Sequence, residues 1–449
     1  MRIPDGIFKA YDVRGLYPEE LDEAVAERIG CALAQQLGAR RLGAGMDPRP
    51  SSRGLLEAFA AGAAAAGAAT VDFGLVPTEM LYFGVAARAL DGGAMITASH
   101  NPPQYNGMKL VGEGALPLSG DAGIPELRER SQALEELPAG DGGAARERVD
   151  LYPSYVAHLH GLVDVAAFRP YKVVMDAANG VAGKLAPLVF GGSALDCVEM
   201  YFEVDGTFPN HAPNPLLEEN SREIRARVLA EKADLGIAWD GDADRCFFID
   251  EAGEFVPGDF VTALLAEALL LKNPGARILY DLRASRAVPD VIRANGGVPL
   301  VNRVGHAFFK QRMRREGGLF GGEVSGHYYF AANHNADSGF IPALLVLDLL
   351  SRKQATLAEL LEPLRSRYYI SGEINSTVDD VPAALTRLER RFSDGEQGHL
   401  DGISVDYEHW HFNVRPSNTE PLLRLNLGAD SQALMEEKRD LVLAVIRGG

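Results

Sequence analysis

Three times along the chain an apolar run ends in an aspartate and opens into a polar loop: LGAGMDPRPSS around Asp47, KVVMDAANG around Asp176 and RILYDLRAS around Asp281. Each is followed, about 40 to 65 residues later, by a dense polar cluster: TASHNP at 97–102, DGDADR at 240–245 and GEVSGH at 322–327. One such pairing arises by chance; three in order describe a repeated α/β unit that presents one loop per copy. At roughly 150 residues per domain, the 449 residues hold three units and a smaller α+β piece carrying RPSNTEP at 415–421.

Local patterning agrees. Leu21, Val25, Ile29, Leu33 and Leu37 recur every fourth residue and Gly38 follows as a stop, which predicts a helix over 19–37. Helices are also expected at 222–232, 261–271 and 431–447, and buried strands at Tyr171–Met175, Leu235–Trp239, Phe247–Ile249 and Ile278–Tyr280. Residues 137–147 (LPAGDGGAARE) read as a linker, with further boundaries after Asp250 and near Ser366. The expected domains are therefore 1–143, 144–250, 251–366 and 367–449.

The net charge of −18 argues against nucleic acid and anionic lipid as partners. Cys31, Cys197 and Cys246 are too few and too scattered for a disulfide framework, and the N-terminus MRIPDGIFKAYD has no apolar core of a signal peptide. The uncharged stretch Ala58–Val71 is short and made mostly of Ala and Gly. A cytoplasmic protein, monomeric or a small homo-oligomer, is the expectation.

The polar clusters carry the chemistry. Asp240, Asp242 and Asp244 stand at alternate positions after a strand, where three carboxylates can converge on one hard cation. The alternative is a solvated acidic turn; Arg245 immediately beyond favours a metal that itself carries an anion. An EF-hand starting at Asp240 would place Glu251 twelfth, but Arg245 stands sixth, where glycine is required. Ser99 lies in TASHNPPQYNGMK with His100 beside it and Lys109 ten residues on. Its hydroxyl needs a base or metal to act as a nucleophile, and a structural turn is the competing reading. Glu323, Ser325 and His327 alternate in GEVSGH and suit sugar hydroxyls and proton transfer. Arg415, Ser417, Asn418 and Thr419 form a donor-rich turn suited to phosphate.

Several motifs are excluded. There is no GxGxxG, no Gly-x-Ser-x-Gly elbow and no HExxH. AANGVAGKL at 177–185 departs from a P-loop at Ala178 and Leu185, and the pairs His158/His160 and His409/His411 read as surface.

Together and in this order, from KAYDVRG at 9–15 to RPSNTEP, the clusters resemble the α-D-phosphohexomutase superfamily, bacterial phosphomannomutase/phosphoglucomutase in particular. The resemblance implies four domains, three related α/β units and a smaller C-terminal α+β one, around a central cleft. It implies that Ser99 is the phosphorylated serine, and that Asp240, Asp242, Asp244 and a phosphoserine oxygen hold Mg²⁺. Arg14, His100, Lys109 and Arg245 would surround the moving phosphoryl group. His327 would serve proton transfer, with His306, Glu323, Ser325, Arg283 and Arg303 toward the sugar phosphate, and Arg415, Ser417, Asn418 and Thr419 on the phosphate that stays. The activity implied is phosphoryl exchange between the 1- and 6-positions of mannose and/or glucose phosphate, primed by hexose 1,6-bisphosphate.

The chain departs from the pattern at three places. Met46 replaces a common arginine, though Arg49 remains; Arg283 stands where lysine is frequent; and Val304 replaces a threonine before Gly305-His306. GEVSGH and Asn418 favour mannose/glucose mutases over phosphoglucosamine mutase, which is the alternative substrate class. An Asp-nucleophile phosphatase using Asp240 and Asp242 is disfavoured by Asp244 where Thr or Val belongs. An inactive sugar-phosphate binder is disfavoured because every matched polar group is present. The acidic total and a phosphate ligand are compatible, because Arg14, Lys109, Arg245, Arg283, Arg303 and Arg415 gather in the motifs and local field outweighs screened global charge.

Overall fold

The computed structural model describes residues 3–138, 146–416 and 422–448. It divides into two compact units, one of Met1–Val256, Lys310–Gly317 and Ser325–Thr356, the other of Pro257–Phe309, Gly318–Val324 and Leu357–Gly449.

The first unit contains two mixed sheets. In one, the strands run in the order Val13–Leu16, Tyr105–Gly112, Gly92–Ile96, Arg41–Met46, Ala69–Leu75, Arg146–Arg148. The strands from Gly92–Ile96 to Arg146–Arg148 pair in parallel, and the other two join antiparallel. Every residue of Gly92–Ile96 is buried, the mark of a strand covered on both faces. The last two residues of the expected linker at 137–147 lie in edge strand Arg146–Arg148; residues 139–145 are outside the described set. The second sheet runs Phe255–Val256, Cys246–Asp250, Leu235–Trp239, Lys172–Asp176, Asp196–Met200. Its core gathers Val174, Ile224, Val228, Ala238, Phe247 and Ile249.

In the second unit, Arg277–Asp281 pairs in parallel with Val298–Asn302 on one side and Gly318–Gly322 on the other. The C-terminal sheet is antiparallel: Tyr369–Ile370, Leu422–Ala429, Trp410–Pro416, Ile403–Asp406, Glu396–Gly398, with Ile374–Thr377 also on Leu422–Ala429. Helices Val381–Arg391 and Gln432–Ile446 supply Ala384, Leu388, Val442 and Ile446 to its core.

The repeated aspartate has a common local job. Asp47 Oδ1 accepts the backbone N–H of Arg49 at 3.1 Å, Asp176 Oδ1 that of Ala178 at 2.8 Å, and Asp281 Oδ1 that of Arg283 at 2.7 Å. All three are buried at the ends of their strands, so each carboxylate turns the chain out of the sheet by an Asx turn. Helix limits shift from periodicity where a cap decides. The first expected helix begins at Glu23 rather than 19, because Asp22 accepts from Val25 N at 2.9 Å. The others are Glu218–Glu231, Gly258–Leu270 and Gln432–Ile446.

Candidate active site

Ser99 sits just beyond strand Gly92–Ile96, buried, with φ at +52°, a left-handed conformation that costs a non-glycine residue about 1–3 kcal/mol. The loop is held in that shape from beneath. Thr97 Oγ1 accepts the Ser99 N–H at 2.8 Å. The Arg49 guanidinium donates to the carbonyls of Ser99 (2.9 Å), Asn101 (2.6 Å), Pro102 (2.6 Å) and Tyr105 (3.1 Å), and its Nε to Asp47 at 2.9 Å. Arg49 is therefore a buried scaffold for the serine loop, and its position two residues after a strand-end aspartate is the signal that marks it.

The acidic loop approaches the same serine. Ser99 Oγ donates to Asp240 Oδ2 at 2.8 Å and lies 3.1 Å from His100 Nδ1. A Cβ on Gly241 would stand 2.7 Å from the Ser99 carbonyl oxygen, so only glycine permits this approach. The strand ends at Trp239 and Ala243 has φ at +56°, so a turn, rather than strand alternation, brings the three carboxylates together. Each of Asp240, Asp242 and Asp244 offers an oxygen within 4.8 Å of the others. Asp242 Oδ2 accepts from Thr78 Oγ1 at 2.6 Å, Lys109 Nζ at 2.7 Å and Thr97 Oγ1 at 3.3 Å. Lys109 also bonds Asp244. Asp242 Oδ1 and Asp244 Oδ1 accept no hydrogen bond among the described residues, although Asp244 Oδ1 lies 3.5 Å from His327 Nε2. Buried carboxylate oxygens left over in an all-oxygen donor set fit a hard divalent cation.

Cations ring the cluster. Arg14 donates to Asn101 Oδ1 at 2.8 Å and to Asp12 at 2.5 Å. Arg245 Nε lies 3.6 Å from Asp240 and donates to His327 Nε2 at 3.3 Å; Ser325 Oγ meets His327 Nδ1 at 3.2 Å. Burial, followed by the charges of Arg245, Arg14 and Lys109, drives the His100 imidazole well below its usual range, so it stands neutral beside Ser99. Burial and its two acidic neighbours push Asp240 up. Asp244 goes down, because Lys109 and His327 outweigh its burial.

The remaining residues lie in the second unit. Arg283 pairs with Asp281 at 2.8 Å and lies 3.9 Å from Glu323. Glu323 accepts the Gly305 N–H at 2.9 Å, next to His306 at the head of helix His306–Glu316. Arg303 stacks on Phe308 at 3.3 Å. Strand Gly318–Gly322 stops before Glu323 and Gly326 has φ at +85°, so alternation does not govern 323–327. Ser325 and His327 meet; Glu323 bonds its own unit. Arg415 is buried near the end of strand Trp410–Pro416, and Ser417, Asn418 and Thr419 lie outside the described residues.

Four family models match in succession: phosphoglucomutase/phosphomannomutase alpha/beta/alpha domain I at 5–137, domain II at 153–253, domain III at 257–368 and the C-terminal domain at 373–445. The chain belongs to the phosphoglucomutase/phosphomannomutase family. It is thereby a phosphohexomutase, an isomerase, built of three α/β units and a C-terminal domain. It is 44% identical over 445 residues to a Xanthomonas campestris pv. campestris protein described as phosphohexose mutases, covering 98% of this chain and 99% of that one. The Escherichia coli (strain K12) phosphomannomutase is 42% identical over 447 residues, covering 98% of each. A solved phosphoglucomutase/phosphomannomutase family protein from Burkholderia thailandensis superposes with a TM-score of 0.90 at 34% identity, over 99% of this chain and 98% of that one. No helix among the described residues is long and apolar enough to cross a membrane.

Two threonines and an acid extend the site beyond what the motifs carried. Thr78, at the start of helix Thr78–Ala87, fixes Asp242, and Thr97 holds both Asp242 and the serine loop. Glu79 beside Thr78 is fully buried, which pushes its carboxyl up to about 8, with the Ser338 and Tyr155 hydroxyls offsetting part of the rise. The folded phosphohexomutase keeps this proton up to about pH 8, whereas an unfolded chain releases it near 4.5. The native state then binds more protons over that interval, and stability falls as pH rises through it. Glu79→Gln removes that slope. Its unfolding free energy relative to wild type should rise by up to about 4 kcal/mol between pH 5 and 8.5 in denaturant melts. Parallel pH profiles of the two proteins would show that Glu79 is ionised in the fold.

Proposed function

We propose that this phosphohexomutase exchanges phosphate between the 1- and 6-positions of mannose and/or glucose phosphate through a phosphoserine at Ser99 and a hexose 1,6-bisphosphate intermediate. The observation that carries the reading is the Ser99 hydroxyl, 2.8 Å from Asp240, in a strained loop ringed by Arg14, His100, Lys109 and Arg245. In the first half-reaction the bond between phosphorus and Ser99 Oγ breaks as a sugar hydroxyl oxygen bonds to phosphorus. The hydroxyl proton passes to a base, for which His327 is our candidate. The second half returns the other phosphate to Ser99 Oγ as the bond between that phosphorus and its sugar oxygen breaks, and the proton held by His327 goes back to the sugar oxygen. Lys109, Arg245 and Arg14 neutralise charge on the phosphoryl oxygens, which is most of what a loose transition state asks of a protein.

Asp240, Asp242, Asp244 and one oxygen of the phosphoserine at Ser99 would hold Mg²⁺, which when bound supplies further charge stabilisation to the phosphoryl group. In the second unit, Glu323, His306 and Arg303 suit sugar hydroxyls and phosphate, and Arg283 with Arg415 suits the phosphate that is not transferred. Domain limits of 1–143, 144–250, 251–366 and 367–449 go with this reading, each domain bringing one of the four loops.

A mutase assay with mannose, glucose and glucosamine 1-phosphates side by side, primed with glucose 1,6-bisphosphate, tests it. Turnover of the first two and phosphate on Ser99 by peptide mass spectrometry are expected. Preference for glucosamine phosphate would move the substrate to the alternative class, and steady release of inorganic phosphate without isomer would replace the mutase with a phosphatase. Asp242→Asn should raise the Mg²⁺ concentration for half-maximal activity at least about 10-fold. An unchanged Mg²⁺ titration would remove Asp242 from the metal site.

A further inference from the structure

Between strand Asp196–Met200 and helix Glu218–Glu231 the chain runs through 201–217 without helix or strand. Loops longer than about 12–15 residues are uncommon in compact domains and mostly functional or disordered. This one is tied to the two loops that follow Asp47 and Asp176. Gly206 lies on the first: a Cβ there would stand 2.1 Å from the Pro48 carbonyl oxygen and 2.5 Å from Arg49 Cα, so no side chain fits. Two residues on, the buried Phe208 ring lies against the Arg49 guanidinium at 5.1 Å, with φ at +49°. Backbone of that kind costs about 1–3 kcal/mol and persists only where its surroundings over-determine it.

The second loop holds the rest. Asp205 N donates to the Asn179 carbonyl at 2.9 Å, and Asn210 Nδ2 to Asn179 Oδ1 at 2.8 Å. His211 meets acceptors with both ring nitrogens, Nε2 with Asp176 Oδ2 at 3.0 Å and Nδ1 with the Ala212 carbonyl at 2.9 Å. Only an imidazolium donates to both. Burial opposes that charge, but Asp176, the Ala212 carbonyl and Glu223 outweigh it and raise the pKa. A Cβ on Gly241, already barred by the Ser99 carbonyl, would also stand 3.3 Å from Pro213, so Pro213 backs the acidic loop where it meets the serine loop.

We propose that 205–213 is a strap that sets the serine loop and the acidic loop at their working separation, with Phe208 and His211 as positioning residues for phosphoryl transfer. The inference rests on the reading that Ser99 carries the transferred phosphate. Phe208 acts through Arg49, whose guanidinium holds four carbonyls of the serine loop. His211 fixes the end of the strap that carries Pro213, and Pro213 acts through Gly241, between Asp240 and Asp242. Phosphoryl transfer depends on placement, so a displacement of about 1 Å at either loop costs about 100-fold in rate.

Steady-state kinetics on the full chain, with the rate of Ser99 phosphorylation by glucose 1,6-bisphosphate read by mass spectrometry, test this well below each variant's Tm. Gly206→Ala, whose methyl forces the strap away from Pro48, should lower kcat about 100-fold. Phe208→Leu keeps apolar bulk without the ring face, and His211→Gln keeps a neutral donor; each should lower kcat about 10-fold, with Phe208→Tyr recovering part of the loss. KM for the sugar phosphate should stay within about 3-fold, because the loss falls on the transfer step. If Phe208→Leu and His211→Gln fold and keep kcat and the Ser99 phosphorylation rate within about 2-fold of wild type, the strap is a structural connection only and the inference falls, whatever Gly206→Ala does. A rise in KM at unchanged kcat would overturn it as well. If the wild type takes no phosphate on Ser99 from the bisphosphate, the reading of Ser99 fails and the inference goes with it.

Discussion

Ser99→Ala should lower mutase turnover by about 10⁴-fold or more, because on the proposed route it removes the atom that gives up phosphate in the first half-reaction and takes it back in the second. The remaining groups would still bind sugar phosphate but would have no acceptor, so bisphosphate priming should restore nothing. The loss should come without unfolding. Alanine is no more strained than serine at φ +52°, and the hydroxyl contributes only its bonds to Asp240 and His100. Initial rates of glucose 1-phosphate conversion beside a melting curve check both halves of the expectation. Activity within 10-fold of wild type, with no phosphate on any other residue, would rule out the phosphoserine route.

The second large effect is expected at Arg49, to which the proposed route gives no contact with the moving phosphate. Five side-chain hydrogen bonds fan out from one buried guanidinium to Asp47 and four loop carbonyls, and its face covers Phe208 at 5.1 Å. Lysine keeps the charge but cannot reproduce the planar fork. Arg49→Lys strands at least two of those carbonyls and leaves Asp47 with a weaker partner, and Arg49→Gln strands the buried Asp47 charge outright. The glutamine variant should lose about 3–5 kcal/mol of stability. Arg49→Lys should lose less, and should turn over about 100-fold more slowly because a displacement of about 1 Å at the serine is enough for that. Unfolding in urea separates the two, and mass spectrometry after incubation with glucose 1,6-bisphosphate shows whether Ser99 is still phosphorylated at the wild-type rate. Full activity in Arg49→Lys would mean that the loop keeps its shape without the guanidinium.

Much of the site was legible because its chemistry is local. Three aspartates within five residues, a serine next to a histidine, and an arginine closing the acidic loop declare themselves by residue type and spacing, and they lie in the order of a known family. What was not legible depends on partners distant in the chain. Thr78 reaches Asp242 across 164 positions, and nothing in VPTEM marks its hydroxyl. Arg49 appeared only as the basic residue left where Met46 interrupts a pattern; that it supports the serine loop depends on carbonyls about 50 residues away. Alternation was a sound guide to composition and a poor one to geometry: DGDADR and GEVSGH turn, at Ala243 and Gly326, so their side chains converge or part for reasons that a period of two does not contain.

By itself the sequence determined the architecture and singled out the candidate reactive groups. Burial of apolar runs of strand length forces sheets, the aspartate that ends each run turns the chain out into a loop, and repetition of that unit leaves little choice of fold. Tertiary structure decided which of those groups stand together and in what state. Ser99 is neighbour to Asp240, Asp242 shares its oxygen with Thr78 and Lys109, and His100 is held neutral. The physical reason is that hydrophobic burial is read from a few adjacent residues, whereas hydrogen-bond partners, desolvation and local field are summed over everything that packs nearby.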